Sequence, residues 1–155
     1  MTEPKDMKQL ISQRQLARKL AMIAVYQWQM TANSYQDIYL GLQDDRDLSK
    51  DFRKADAAYF QQLVKYVMEN SADIDASYKP LLDRGAEQLD QIELAALRVA
   101  ATELKNHPEV PFKVVVNESV NLTKKFGADQ AHKFVNGILD KLARQLRPLE
   151  TGTKP

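Results

Sequence analysis

Apolar side chains recur every three or four residues along most of the chain, which is the pattern of helices that bury one face. Near the N-terminus, Ser12 followed by Gln15 fits a capping box, so we predict a first helix over residues 13–31. The residues expected on its buried face are Leu16, Leu20, Ile23 and Ala24.

The middle of the chain predicts three more helices. A short helix is expected over residues 34–42, and the charged segment DDRDLSK at residues 44–50 is expected to be a loop. Helices over residues 54–70 and 72–82 follow. Pro80 kinks or ends the second of them, because proline lacks the backbone N–H that a helix interior needs.

The C-terminal half carries clear signals for where helices begin and end. Asp90 is a favourable N-cap for a helix that continues to about Asn106. The HPEVP segment then interrupts the helical pattern, and Pro111 suits the first position of the next helix. Gly127 is expected to stop that helix just after Phe126.

About seven helices with short connections predict an all-α fold in one compact domain. The last helix is expected over residues 128–146 and is ended by Pro148. We expect a single helical domain over residues 13–148. Because both ends of the chain are polar, residues 1–12 and 149–155 are expected to be flexible.

The composition excludes several kinds of chemistry. The chain contains no cysteine, which rules out disulfides, thiolate nucleophiles and cysteine-bound zinc. Its two histidines, His107 and His132, lack the spacing of a metal site or a catalytic triad, and His107 is expected at the surface. With no glycine-rich phosphate loop either, we predict no enzymatic activity, no cofactor and no metal.

The sequence predicts neither a signal peptide nor a membrane span. The first ten residues, MTEPKDMKQL, lack an apolar core. No stretch approaches the roughly 18 apolar residues that a membrane span needs. We therefore expect a cytoplasmic protein without membrane contact.

The formal net charge is only +1, so any contact with nucleic acid has to come from a local basic patch. The first helix supplies a candidate, because its basic side chains share a face with an aromatic ring. Phosphate contacts beside a stacking platform suit single-stranded RNA, while an ordinary solvated face is the alternative. The residues on this face are Arg14, Arg18, Met22, Tyr26 and Gln29, with Lys19 beside them.

The last helix offers a second candidate. Phe134 lies at the edge of the apolar stripe, with Gln130, Gly137 and Lys133 further round on the same side. A half-exposed ring beside a glycine would let a ligand approach closely. The alternative is a phenylalanine at the boundary of the core beside a glycine needed for packing.

Two acidic residues, Glu93 and Glu103, lie next to apolar positions on the helix that follows Asp90. They either face a basic protein partner or are solvated acids at the rim of the core. Trp28 lies closer than Tyr26 to the core side of the first helix and is expected to serve in packing.

Residues 110–143 contain the motifs VPFKVVVNE, KFG and HKFVNGILDK. In order and spacing these motifs resemble the C-terminal signature of the NusB family of transcription antitermination factors. ARKLAMIAVYQWQM at residues 17–30 and DQIELAALRVAATEL at residues 90–104 are similar to other family segments. The resemblance covers roughly residues 14–146, nearly the whole chain.

The resemblance implies an all-α fold of two packed helical bundles and a function in RNA binding. Family members pair with NusE, a ribosomal protein of the small subunit, and the pair binds the boxA element of nascent RNA. The resulting complex on RNA polymerase suppresses termination, notably in ribosomal RNA operons. Some members also form homodimers that hide the RNA site.

The resemblance also implies roles for single residues. Gln130 stands where an acidic residue is common in the family, and Leu81 stands where some members have a tyrosine, unless Tyr78 supplies that ring. Glu93 matches an acidic position on the partner-facing helix. The predicted RNA-binding residues are Arg14, Arg18, Lys19, Tyr26, Gln130, Lys133 and Phe134.

Two other functions stay open at this point. A protein-interaction adaptor with incidental RNA affinity would depend mainly on Glu93 and its neighbours. NusB-like domains also form the RNA-binding part of some ribosomal RNA methyltransferases. A chain of 155 residues, nearly all used by one domain, is expected to leave no room for a catalytic half.

Overall fold

The computed structural model describes residues 4–82 and 89–152, and within them all regular structure is helical. The all-α prediction is confirmed. The eight α-helices of these residues are α1 (Pro4–Thr31), α2 (Tyr35–Asp44), α3 (Ser49–Lys54), α4 (Ala57–Tyr78), α5 (Gln91–Asn106), α6 (Phe112–Phe126), α7 (Ala131–Leu146) and α8 (Pro148–Thr151), and a 3-10 turn covers Lys79–Leu81. None of these helices is both long enough and apolar enough to span a bilayer.

Helix α1 begins at Pro4, well before the predicted start near Gln13. Ser12 lies inside this helix, so the predicted capping box is wrong. The segment between Pro4 and Gln13 is rich in good helix formers and contains no glycine or second proline, which lets the helix extend. Together with α8 at the other end, helical structure reaches into both segments that were predicted to be flexible.

The middle of α1 is buried on both faces, because the helix packs mainly against α4 and α5 and also contacts α2, α3 and α6. Leu20 and Ala24 are buried as predicted, but so are Arg18 and Met22 on the face expected to be solvated. The prediction of one buried and one solvated face is therefore wrong for this part of α1.

Two differences concern the segments between α2 and α5. Helix α3 begins at Ser49, within the segment predicted to be a loop, and buried Phe52 anchors it to the core. Helix α4 joins the two helices predicted over residues 54–82, with a kink at Asn70, whose φ of −132° and ψ of 24° are not helical. Pro80 lies in the 3-10 turn after α4, as its lack of an N–H requires.

The helix boundaries signalled by caps are largely confirmed. The Glu93 backbone N–H donates to Asp90 Oδ1 at 2.7 Å, and the Asp90 N–H donates to Glu93 Oε1 at 3.1 Å, which forms a capping box at the start of α5. Pro111 precedes α6 as its N-cap. Helix α7 begins at Ala131, later than predicted, because Gln130 has a left-handed backbone with φ of 72°.

Two glycines near the C-terminus should respond oppositely to alanine. A Cβ on Gly127 would lie 2.8 Å from the Thr123 carbonyl oxygen, so Gly127→Ala is expected to cost about 1–3 kcal/mol. A Cβ on Gly137, inside α7, would have no neighbour within 4 Å, so Gly137→Ala should gain up to ~1 kcal/mol from helix propensity. Urea unfolding of the two variants measures both changes in the free energy of unfolding. A change in the same direction for both variants would contradict this packing.

Candidate nucleic-acid interface

Arg18 lies at the centre of a buried ionic cluster that joins α1, α5 and α6. Its Nε donates to both carboxylate oxygens of Glu103 at 2.8 and 2.7 Å, and its Nη2 lies 2.7 Å from Glu103 Oε2. Its Nη1 donates to Glu118 Oε1 at 3.3 Å. Only 6% of the Arg18 side chain is exposed, so the predicted phosphate contact of Arg18 is corrected: carboxylates of this chain already occupy its donors.

Tyr59 of α4 completes this cluster. Its hydroxyl donates a short hydrogen bond to Glu103, and burial followed by the charge of Glu103 raises the pKa of Tyr59. Burial alone would lower the pKa of Arg18, but the hydrogen bond and charge of Glu103 outweigh it and raise that pKa. Arg18 therefore stays a cation, and its role here is to hold three helices together.

The other basic residues predicted on α1 are more exposed, but each faces an acid. The guanidinium of Arg14 lies 3.9 Å from Asp56 and 3.7 Å from Glu109, and 36% of its side chain is exposed. Lys19 Nζ donates to Asp51 Oδ2 at 2.7 Å. The positive charge of this part of α1 is thus largely balanced within the chain.

A groove of about 280 Å³ runs between α1 and α6 beside Lys19. Hydrogen-bond donors line it on both sides, with Gln15 and Lys19 on α1 and Asn121 and Lys125 on α6. Arg18 and its acidic partner Glu118 also contribute to the lining. Sequence reasoning missed Lys125, although Lys124 and Lys125, the adjacent lysines before Phe126, signal a basic end of α6. The groove is therefore a space beside Lys19 that a ligand could enter.

The aromatic end of α1 combines packing and partial exposure. Tyr26 and Trp28 are both half-buried against the core. The Gln29 amide donates to the Gln91 carbonyl oxygen at 2.8 Å, while its Oε1 accepts from Arg98 Nη1 at 3.2 Å. Gln29 therefore connects α1 to the start of α5, and Tyr26 keeps part of its ring exposed at this end of the helix.

The first turn of α7 carries the second predicted group. Lys133 is exposed, and Phe134 is half-buried against the core, as expected for the edge of an apolar stripe. The exposed Gln130 precedes them as the left-handed residue that begins the helix. These three residues share one turn, on a different helix from Arg14 and Lys19.

Tyr78 does not replace the tyrosine that some family members carry at the position of Leu81. This side chain is buried, and its hydroxyl donates to Asp75 Oδ1 at 2.7 Å. Burial, followed by the hydrogen bond to Asp75, raises the pKa of Tyr78. Leu81 lies half-buried in the 3-10 turn, which contacts α7.

The surroundings of two glutamates and one histidine differ from those that were predicted for them. Glu93 and Glu103 are both buried, so neither is a solvated acid at the rim of the core. The prediction that His107 lies at the plain surface is also wrong, because its ring packs 4.6 Å from that of Tyr59 and lies 3.3 Å from Glu109. Within residues 4–82 and 89–152, no cluster of three or more acidic or histidine side chains could hold a metal ion.

Comparison with solved structures supports the fold. A NusB structure from T. maritima matches with a TM-score of 0.71 and 24% identity, over 85% of this chain and 91% of that one. A complex of the antitermination factors NusB and NusE with double-stranded RNA matches with a TM-score of 0.66 and 23% identity, over 84% of this chain and 96% of that one.

Comparison of sequences establishes the family. The transcription antitermination protein NusB of Alteromonas mediterranea is 47% identical over 137 residues, covering 88% of this chain and 95% of the relative. The protein of the same description from Teredinibacter turnerae is 48% identical over 145 residues, covering 93% of this chain and 96% of the relative. The model of the NusB family matches residues 15–144. The chain therefore belongs to the NusB family.

Proposed function

We propose that this chain is an RNA-binding transcription antitermination factor that binds boxA-type RNA together with NusE. The chain would act within the antitermination complex on RNA polymerase, notably in ribosomal RNA operons. The family match over residues 15–144 carries this proposal. A structural neighbour solved with NusE and double-stranded RNA supports these two partner classes, although our proposal is for unpaired RNA.

The geometry sharpens which residues would contact RNA. Tyr26 and Phe134 would stack on unpaired bases, and Lys133 and Gln130 would contact the strand beside Phe134. Lys19 would bind phosphate by exchanging its contact with Asp51, which costs little because partly exposed ion pairs contribute only about 0–1 kcal/mol. Arg14, paired at longer distances, would exchange in the same way.

Arg18 and Glu93 would act indirectly. Arg18 would position α1 against α5 and α6 instead of holding phosphate. Glu93, predicted as a contact for the protein partner, would hold the start of α5 in place through the capping box with Asp90. With so few exposed cations among the proposed RNA-binding residues, binding to RNA alone should be weak, and NusE would add the missing contact surface.

Removing either stacking ring should weaken RNA binding. Tyr26→Ala and Phe134→Ala are each expected to cost about 1–3 kcal/mol of binding free energy, the usual value for one stacked base. Fluorescence anisotropy of a labelled boxA RNA in the presence of NusE measures this loss. Scrambled and double-stranded RNAs of equal length show whether the preference is for the unpaired boxA sequence.

Because both rings also pack against the core, the variants need a matched control. Tyr66→Ala removes a half-buried tyrosine from α4, so it should lower stability without lowering RNA affinity. Wild-type affinity in both Tyr26→Ala and Phe134→Ala, with folding verified by circular dichroism, would exclude this stacking site.

A protein-interaction adaptor with incidental RNA affinity is the second candidate function. The balanced charge around Arg14, Arg18 and Lys19 favours it, since paired cations attract RNA less strongly. Equal affinity for boxA and scrambled RNA would support the adaptor. Self-association, cytoplasmic location and lack of catalysis stay predictions, and sedimentation of the free chain tests the first of them.

A further inference from the structure

A second groove, larger than the one beside Lys19, lies between α2 and the beginning of α4. Its volume is about 400 Å³. Tyr35, Gln36 and Tyr39 line it from α2, and Gln61 and Lys65 line it from α4. None of these residues belongs to the RNA site proposed above, so the groove needs an explanation of its own.

The aromatic wall of this groove is held rigidly from behind. The rings of Tyr35 and Tyr39 stack with their centroids 5.8 Å apart and an interplanar angle of 25°. Tyr39 meets the buried Phe52 edge to face at 5.2 Å, and Phe52 meets Phe60 in the same way at 5.2 Å. A wall fixed by packed rings loses little conformational entropy when it binds a ligand.

The ring faces are already in use, which disfavours nucleobases as ligands. Tyr35 stacks on Tyr39, and the Lys65 ammonium lies 5.0 Å from the centroid of the Tyr35 ring. A base would have to displace one of these neighbours in order to stack.

The polar groups of the groove suit a ligand rich in hydrogen-bond acceptors. Tyrosine hydroxyls, glutamine amides and a lysine can all donate, and the lining contains no carboxylate. Opposite the tyrosines lie Ala57 and Ala58, exposed side chains short enough to leave room for bulky rings. The lining therefore combines fixed aromatic rings, donors and one positive charge.

We propose that this groove binds an extended, proline-rich segment of a protein partner that carries an acidic residue opposite Lys65. A polyproline II segment has no internal hydrogen bonds, so its carbonyl oxygens are free to accept from the groove. Its pyrrolidine rings pack into aromatic-lined grooves in other domains that recognise such segments. The carboxylate of the partner supplies the charge complementary to Lys65.

The test uses a fluorescein-labelled peptide of consecutive prolines that ends in two glutamates, with full-length protein. Ala58→Arg fills the groove from an exposed position without disturbing the aromatic wall, and it should weaken binding by about tenfold or more. Ala76→Arg places the same charge and bulk on an exposed position of α4 outside the groove, so it should bind as the wild type does. Lys65→Gln should weaken binding of the acidic peptide more than that of an all-proline peptide.

The site of binding is checked by NMR, in which the peptide should shift the ring signals of Tyr35 and Tyr39. Three results would overturn the proposal: no binding of the acidic proline peptide, equal binding to Ala58→Arg and wild type, or equal binding of a glycine-serine peptide with the same charge. If oligouridine shifts the same tyrosine signals and the proline peptide does not, the groove binds RNA and the proposal is wrong.

Discussion

Replacing Glu103 by glutamine is expected to destabilise the fold by about 3–5 kcal/mol, because it leaves the Arg18 guanidinium buried without its main counter-ion. Glu103 accepts hydrogen bonds from Arg18 Nε and from the Tyr59 hydroxyl, and its own side chain is only 1% exposed. Glu118, the other acid near Arg18, offers one contact at 3.3 Å and cannot take over this role.

The matched control for this prediction is Glu118→Gln. The Glu118 side chain is 19% exposed, so water compensates part of the loss and the cost should be smaller than for Glu103→Gln. A double variant, Arg18→Met with Glu103→Met, should recover much of the stability, since buried ion pairs are often replaced by apolar residues at little cost. Urea unfolding measures all three changes.

A loss of stability below about 1 kcal/mol for Glu103→Gln would place the Arg18–Glu103 pair in the range of surface salt bridges and contradict the buried cluster.

The same variants show whether Arg18 positions the helices or contacts RNA. If Arg18 acts only through the fold, the double variant should bind boxA RNA with wild-type affinity in the presence of NusE. A selective loss of RNA affinity in that stable variant would restore Arg18 as a phosphate ligand.

Local signals in the sequence predicted much of the fold. The N-cap at Asp90 and the stop at Gly127 depend on residues three or four positions apart, so both could be predicted from the sequence. The hydrogen bond from the Asp90 N–H back to Glu93, which completes a capping box, was not predicted. The extension of α1 to Pro4 was missed because a chain of good helix formers contains no signal for where the helix begins. Helix α3 was missed because a single buried ring, Phe52, anchors it.

The candidate site was harder to predict, since burial depends on distant partners. Arg18 and Glu103 are 85 residues apart, and a basic residue at a helical spacing looks the same whether it faces solvent or a carboxylate from another helix. Phe134 was better placed, because partial exposure at the edge of an apolar stripe follows from helical periodicity. Tyr26 was predicted on the face of α1 opposite the core, and it is half-buried instead.

The second large effect is expected at Arg147, which connects the end of α5 to α8. Its buried guanidinium donates to the carbonyl oxygens of Leu104 at 3.0 Å and His107 at 2.8 Å, and it makes a short hydrogen bond to Val110. The Leu104 carbonyl lies in the last turn of α5, where a helix leaves its carbonyl groups without partners, while the His107 carbonyl also accepts from the Val110 N–H at 3.0 Å. A charged side chain thus satisfies several buried acceptors at once.

Arg147→Met keeps the length of the side chain and removes every donor. Each buried acceptor left without a partner costs about 1–3 kcal/mol, so a loss of about 3–5 kcal/mol in the free energy of unfolding is expected. The control is Arg144→Met in the last turn of α7, where an exposed side chain makes one contact to Asp140 at 3.4 Å, and its cost should stay below about 0.5 kcal/mol.

A local measurement separates this role of Arg147 from general packing. The pKa of Glu150 is held below its ordinary value, first by the Phe112 backbone N–H at 2.7 Å and then by Arg147. Removing Arg147 should therefore raise the pKa of Glu150 without bringing it fully to the ordinary value, since the Phe112 hydrogen bond remains.

A carboxylate whose pKa is lowered in the folded state stabilises the fold at pH values above its unfolded-state pKa. Because the Arg147 variant has less of this stabilisation, it should also lose less stability on acidification than the wild type. NMR titration of Glu150 measures the shift, and an unchanged pKa beside a large loss of stability would mean that Arg147 acts through packing alone.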